Sequence, residues 1–102
     1  MKRVPLFPVP NQTLAVVLAG QSCELALRQN GDNMYFDLTV NDVDIVLCRI
    51  VRNKQLLCLD ARYRPFVGDF FFMDTQGDTQ PEYTGLDTRY LLYYVETTDG
   101  LL

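Results

Sequence analysis

The stretch that decides the fold class reads SCELALRQ over residues 22–29, NGDN over residues 30–33 and MYFDLTV over residues 34–40. On both sides of NGDN an apolar residue occupies every second position: Cys23, Leu25 and Leu27, then Met34, Phe36, Leu38 and Val40. This spacing is typical of a β-strand that buries one face. Asn30 and Gly31 accept the positive φ of a hairpin bend. The stretch therefore predicts two antiparallel strands joined by a tight turn.

Further strands are predicted on either side of this hairpin. They are the remaining apolar runs between turn residues: residues 12–19, 43–51, 56–60, 66–73 and 86–96. A helix is the alternative at residues 14–19 and 86–96, but the glycine close after the first run and the aromatic and β-branched residues of the second favour strands. About seven short strands without a convincing helix predict an all-β fold, either a small antiparallel β-sandwich or a partly open β-barrel.

The chain of 102 residues has the length of a single domain. Its first ten residues contain three prolines, at positions 5, 8 and 10. Proline has no backbone N–H to donate, so residues 1–9 are predicted to add little to an internal β-ladder. The predicted organisation is an extended, proline-rich N-terminal arm at residues 1–10 and a single β domain at residues 11–102.

Composition excludes several classes of function. Hydrophobic residues at 48% and charged residues at 22% are typical of globular proteins. Nine basic against thirteen acidic residues give a net charge of −4, which disfavours nucleic acid and anionic membranes as partners and favours protein. The absence of histidine removes Ser-His-Asp and Cys-His catalysis and histidine-ligated zinc. We predict a protein that is not an enzyme and that needs no cofactor.

The N-terminus and the cysteines bear on the compartment. The first residues lack the apolar core of a signal peptide, and no apolar run approaches the roughly 20 residues that span a bilayer. We therefore expect no membrane span and synthesis in a cytoplasm. Cys23, Cys48 and Cys58 cannot all pair within one chain and show no metal-binding spacing. They are predicted to be reduced, buried and slow to react with a thiol reagent.

The acidic segment DTQGD, residues 74–78, offers oxygen ligands and is followed by Glu82. A calcium loop of the EF-hand type needs ligands at fixed loop positions and a helix on each side. This segment has neither the spacing nor the helices. We predict an ordinary acidic turn and no metal site.

Five of the nine basic residues lie within sixteen positions, near Tyr63 and Phe66, and they are Arg49, Arg52, Lys54, Arg62 and Arg64. Three interpretations stay open. The cluster could bind single-stranded nucleic acid with aromatic stacking, it could bind an acidic protein, or it could line solvated strand edges that resist edge-to-edge pairing.

Three predicted strands carry apolar residues on both faces: residues 43–51, 66–73 and 90–95. An isolated sheet buries one face and exposes the other to water, so a chain this short is not expected to cover all of these side chains by itself. One interpretation is that part of this surface meets other subunits. The alternative is a tightly closed barrel with large aromatic residues on its outside.

One ordered set of short motifs spans nearly the whole chain. Its members are Val4-Pro5-Leu6, Pro10-Asn11-Gln12 before a strand, Gly20-Gln21 in a turn, Asp37-Leu38 after an aromatic residue, residues 74–77 after the Phe-rich strand, and Tyr83-Thr-Gly85-Leu86 before Arg89-Tyr90-x-Leu92. The set resembles the baseplate plug family of contractile-tailed bacteriophages. That resemblance implies a non-enzymatic, β-rich component of the virion, located near the tube, hub and spike of the tail baseplate. It carries no catalytic residue to this chain.

The expected partners are therefore other baseplate, tail-tube or hub proteins and further copies of this chain, with synthesis in the bacterial host. The residues predicted to contact them are Val4, Pro5, Leu6, Phe7, Arg62, Arg64, Phe70, Phe72 and Tyr93. The alternative function is a small β-barrel module that binds a peptide or single-stranded nucleic acid. Salt separates the two, because counterion release makes nucleic-acid affinity fall steeply with ionic strength.

Overall fold

The computed structural model describes residues 2–58 and 68–95. These ranges hold seven strands and one turn of 3-10 helix at Tyr83–Gly85. The strands are β1 Lys2–Val4, β2 Asn11–Leu18, β3 Gln21–Asn30, β4 Asn33–Val40, β5 Val43–Ile50, β6 Asp69–Asp74 and β7 Tyr90–Val95. The all-β prediction is confirmed, and the two segments with a helical alternative form β2 and β7. No helix within the described ranges is long and apolar enough to span a bilayer.

The strands form two antiparallel sheets that pack as a sandwich. The larger sheet has the order β2-β3-β4-β5, and the smaller has the order β1-β7-β6. Two-residue turns join neighbouring strands of the larger sheet, and the backbone has positive φ at both Asn41 and Asp42 in the turn between β4 and β5. Asparagine and aspartate tolerate this conformation better than other residues with a side chain.

Aromatic side chains from both sheets fill the core. The Phe70 ring of β6 lies 5.6 Å from the Phe36 ring of β4 and 5.4 Å from the Tyr94 ring of β7, measured between centroids. Both pairs are tilted, which is a favourable arrangement for aromatic rings. Phe72 and Leu92 are also fully buried. The alternating residues of β3 and β4 complete this core, as their spacing predicted.

The N-terminal segment differs from its prediction. Lys2–Val4 pairs antiparallel with β7, with Lys2 opposite Tyr94 and Val4 opposite Leu92. Val4 is buried in the core. The expectation that residues 1–9 add little to an internal ladder is therefore wrong for these three residues. The prolines do not prevent the pairing because the first of them, Pro5, follows the strand.

The strand predicted at residues 56–60 is absent from its described part, residues 56–58. This segment instead runs beside β6 in an irregular path. The backbone N–H of Lys54 donates to the carbonyl oxygen of Phe72, and that of Leu57 to the carbonyl oxygen of Phe70, both at 2.8 Å. The segment covers the outer edge of β6 without forming a regular ladder.

Candidate interaction surfaces

The chain between β1 and β2 places one aromatic ring in solvent. Leu6 is buried with the core, whereas Phe7 is 73% exposed. The amide of Gln12 holds the backbone of Phe7, because Gln12 Nε2 donates to the Phe7 carbonyl oxygen at 2.6 Å and the Phe7 N–H donates to Gln12 Oε1 at 3.1 Å. The exposed ring is therefore attached to a fixed backbone at the start of β2.

Two further apolar side chains lie on the surface of the larger sheet. Val17 of β2 is 66% exposed, and Leu47 of β5 is 60% exposed. Neither was predicted as a contact residue. The signal for Val17 was present, because Val16 and Val17 are consecutive and one of two neighbouring strand residues must face away from the core. Leu47 lies in a strand whose register to β4 shifts, so its side chain does not follow the simple alternation.

The predicted contact residues fall into three groups. Val4, Leu6, Phe70 and Phe72 are buried in the core of this chain, which explains their apolar character without a partner. Pro5 is exposed with Phe7, and Tyr93 is half-buried with its ring stacked on Phe71 at 5.5 Å. Arg62 and Arg64 lie outside the described residues. The partner contacts of all nine stay predictions.

A polar cluster occupies the outer face of the larger sheet. Arg28 forms an ion pair with Asp37, and its Nη2 donates to the Cys48 sulfur at 3.3 Å. Asp37 Oδ1 accepts the backbone N–H of Cys48 at 2.6 Å. The cluster borders a shallow cavity of about 370 Å³ that Tyr35 also lines. Because the carboxylate neutralises the guanidinium, this cavity has little attraction for a phosphate group.

In the described part of the 49–64 stretch, the basic residues Arg52 and Lys54 already have polar partners. Lys54 Nζ lies 3.0 Å from Asp78 Oδ1, and Arg52 Nη1 donates to the Val51 carbonyl oxygen at 3.1 Å. Arg49 is half-buried on β5. These contacts stabilise loops and strand ends, and they supply no support for the single-stranded nucleic-acid interpretation.

The acidic turn after β6 is organised around one carboxylate. Asp74 is buried, and its oxygens accept Arg89 Nε at 2.8 Å and Arg89 Nη2 at 2.9 Å. They also accept the backbone N–H groups of Gln76 and Thr79, each at 2.9 Å. Asp78 instead pairs with Lys54. Across the ranges that the structure describes, no group of three or more acidic or cysteine side chains is placed to hold a metal ion.

Comparison with known proteins decides the family. Residues 1–98 match the family described as "Cyanophage baseplate Pam3 plug gp18". The chain belongs to this baseplate plug family. The match confirms the resemblance, and the family implies a structural role in the baseplate of a phage tail. A comparison with curated proteins finds no match.

The motifs that carry the plug-family resemblance hold loops in place. Gln12, from the Pro-Asn-Gln motif, forms the two hydrogen bonds to Phe7. Asp74 and Arg89 come from two different motifs and meet in the bidentate ion pair. A bidentate pair fixes both position and orientation. In this plug-family chain the pair closes the loop from β6 to β7.

The Asp74 pair makes the stability of this plug-family chain depend on pH. The hydrogen bonds from Arg89 hold the pKa of Asp74 well below its usual range. A lowered folded-state pKa contributes stability above the unfolded pKa of about 3.9, and this contribution is lost as the pH falls below it. We expect Asp74→Asn to lower the Tm clearly at pH 7, with the difference from wild type shrinking at pH 3.

Asp78→Asn is the matched control, because it removes a carboxylate from the same loop whose side chain is largely exposed. Its Tm should stay close to that of wild type at both pH values. Thermal melts of the three proteins at pH 7, 5 and 3 supply the comparison. Equal shifts for the two variants would contradict the assigned role of Asp74.

The cysteine prediction needs one correction. Cys23 and Cys58 are buried, but Cys48 is exposed, so the expectation of burial is wrong for Cys48. Its backbone has a φ of 55°, at an irregular part of β5 that turns the side chain outward. Burial raises the pKa of the Cys58 thiol, and Asp69 adds to the effect.

We expect one thiol per chain to react with a disulfide reagent in the native protein, and the other two only in denaturant, because thiolate formation and access control this reaction. The reaction of each cysteine releases a coloured thiol from the reagent, and the absorbance of that product is measured over time. Cys48→Ser should abolish the rapid phase. A rapid phase that persists in this variant would show that Cys23 or Cys58 is accessible.

Proposed function

We propose that this chain packs near the tube, hub and spike of a contractile phage tail baseplate through protein–protein contacts, and that it also associates with further copies of itself. Its synthesis takes place in the cytoplasm of the bacterial host. Membership of the baseplate plug family supports the location. The observation that most directly supports protein–protein contact is that three large apolar side chains are exposed to solvent: Phe7, Val17 and Leu47.

Exposed apolar groups of this kind favour a protein partner. The core of the sandwich is complete without them, so their exposure contributes nothing to folding of the isolated chain. Burial of an aromatic ring in an interface removes a large apolar area from water at a low conformational cost. Phe7 fits this role best because Gln12 already fixes its backbone.

The test is complementation of a phage that lacks this protein. We expect Phe7→Ser to melt like wild type and to reduce incorporation into virions, measured by quantitative mass spectrometry of purified particles. Gln76→Ser is the control, because Gln76 is also exposed but belongs to a different loop, the one after β6. Normal incorporation of Phe7→Ser would show that Phe7 is not part of the interface. Absence of the wild-type protein from virions would contradict the proposed function itself.

A binding assay addresses the alternative function. We expect no measurable affinity for single-stranded DNA at physiological salt, because Arg28 and Lys54 are paired with carboxylates and the net charge is −4. Fluorescence anisotropy with a labelled oligonucleotide measures this directly. Tight binding that weakens steeply with salt would favour the nucleic-acid module.

A further inference from the structure

The two sheets have four outer edges, and three of them are protected. β1 is three residues long and carries Lys2 and Arg3. The edge of β6 bonds to the segment of residues 54–57. β5 has charged residues and register shifts against β4. Short length, charge, coverage and bulges are the usual means by which proteins prevent pairing with another chain.

The fourth edge, that of β2, has none of these protections. Its eight residues, NQTLAVVL, contain no charge and no proline. Its pairing with β3 is continuous from Asn11 opposite Arg28 to Leu18 opposite Gln21. Among the residues that the structure describes, none bonds to the outer edge of β2. A long, regular and uncharged edge is a template for an additional strand.

The pairing of β2 with β3 determines which backbone groups of β2 point to the open edge. The Gln29 N–H donates to the Pro10 carbonyl oxygen at 2.8 Å, so even-numbered residues of this segment bond to β3. Backbone groups alternate in an antiparallel ladder. The N–H and C=O groups of Asn11, Thr13, Ala15 and Val17 therefore point to the open edge.

The side chains of β2 also leave room for a further strand. Leu14 and Val16 pack against the core but are only partly buried, since no neighbouring strand covers them on the open side. A strand placed there buries more of both residues. The same strand contacts Val17, which is exposed on the opposite face of the sheet.

We propose that the strand is β2 of a second copy of this chain, paired antiparallel across a two-fold axis with Ala15 opposite Ala15. This deepens, and rests on, the self-association in the proposed function. The register pairs residues 12–18 of both copies and places Leu14 opposite Val16 on the core side. Thr13 stands opposite Val17 on the outer side. The hydrogen-bonding residues of one edge then face those of the other.

A second copy is the favoured occupant because two β2 edges are compatible with each other in charge and in hydrogen bonding. Neither strand brings a charge, so no like charges stand opposite one another. Centring the axis on Leu14 instead places both Gln12 opposite Val16 and Asn11 opposite Val17, whereas within the Ala15 register Gln12 opposite Leu18 is the single pairing of an amide with an apolar side chain. The Ala15 register pairs apolar Leu14 with apolar Val16 and joins the two larger sheets into one continuous sheet.

Sedimentation velocity over a range of concentrations tests the proposal. We expect a dimer for wild type, and for Ala15→Lys and Ala15→Asp alone a dissociation constant raised by roughly tenfold or more, because like charges then stand opposite one another. An equal mixture of the two variants should restore the dimer. Ser22→Lys is the control, because it adds the same charge to the same face on β3, one strand away from the edge.

Three outcomes overturn this inference. They are a monomeric wild type at every concentration, a dimer that Ala15→Lys does not weaken, and a mixture of the two variants that stays monomeric. Circular dichroism confirms that the variants are folded. A monomeric wild type that is present in purified virions overturns the β2 pairing and leaves the baseplate function standing, so the two failures are distinguishable.

Discussion

Replacement of Phe70 by alanine should lower the free energy of unfolding by about 3 to 5 kcal/mol, as is typical of a buried aromatic residue. The Phe70 ring is fully buried and contacts the rings of Phe36 and Tyr94, which come from opposite sheets. Its loss leaves a cavity between the sheets. A domain of this size has a total stability of about 5 to 15 kcal/mol, so the variant loses a large share.

Urea denaturation followed by circular dichroism measures this effect. Phe7→Ala is the matched control, because it makes the same chemical change on a ring that is 73% exposed. A surface substitution of this kind is expected to change stability by no more than about 0.5 kcal/mol. Equal losses for the two variants would show that Phe70 is not a core residue.

The second large effect is expected for Gly68→Ala. Gly68 precedes β6 with a φ of 105°, a conformation that residues with a side chain rarely adopt. A β-carbon there would lie 2.5 Å from Tyr94 Cε1 and 2.6 Å from the Val95 carbonyl oxygen. Backbone strain of about 1 to 3 kcal/mol and overpacking of similar size act together. The backbone oxygen belongs to β7 and cannot move without disturbing the sheet.

Gly31→Ala separates the two causes. Gly31 also has a positive φ, of 62°, but a β-carbon there would meet no atom within 4 Å. The control therefore carries only the conformational penalty, of about 1 to 2 kcal/mol. Denaturation of both variants under the same conditions gives the comparison. If the free energy of unfolding of Gly68→Ala is no lower than that of Gly31→Ala, the result contradicts a close contact between Gly68 and β7.

The larger sheet could be predicted from the sequence because its information is local. Two-residue turns join its four strands, and apolar residues alternate on both sides of one such turn, from Cys23 to Leu27 and from Met34 to Val40. β1 could not be predicted in this way, because three residues are too few to show a period and their partner lies near the other end of the sequence. Tertiary pairing, and not local pattern, makes Lys2–Val4 a strand.

The surfaces were harder to predict than the fold. Phe70 and Phe72 were predicted as partner contacts because the predicted strand at residues 66–73 carries apolar residues on both faces, but both are buried in this chain. Leu47 and Cys48 face solvent because β5 is irregular, and a shift of register reverses which side chains point outward. Such a shift depends on the neighbouring strand and leaves no pattern in the sequence of β5 itself.

The pairing of β1 with β7 also has a consequence for chain topology. It joins Lys2 to Tyr94 and so closes almost the entire chain into one loop. Closing a loop costs entropy that grows with the logarithm of its length, and three residues of ladder offset little of it. The burial of the Val4 side chain in the core therefore helps to offset the entropy cost of closing this loop. Contacts so distant in sequence raise the relative contact order, whereas the two-residue turns of the larger sheet keep its own contacts local.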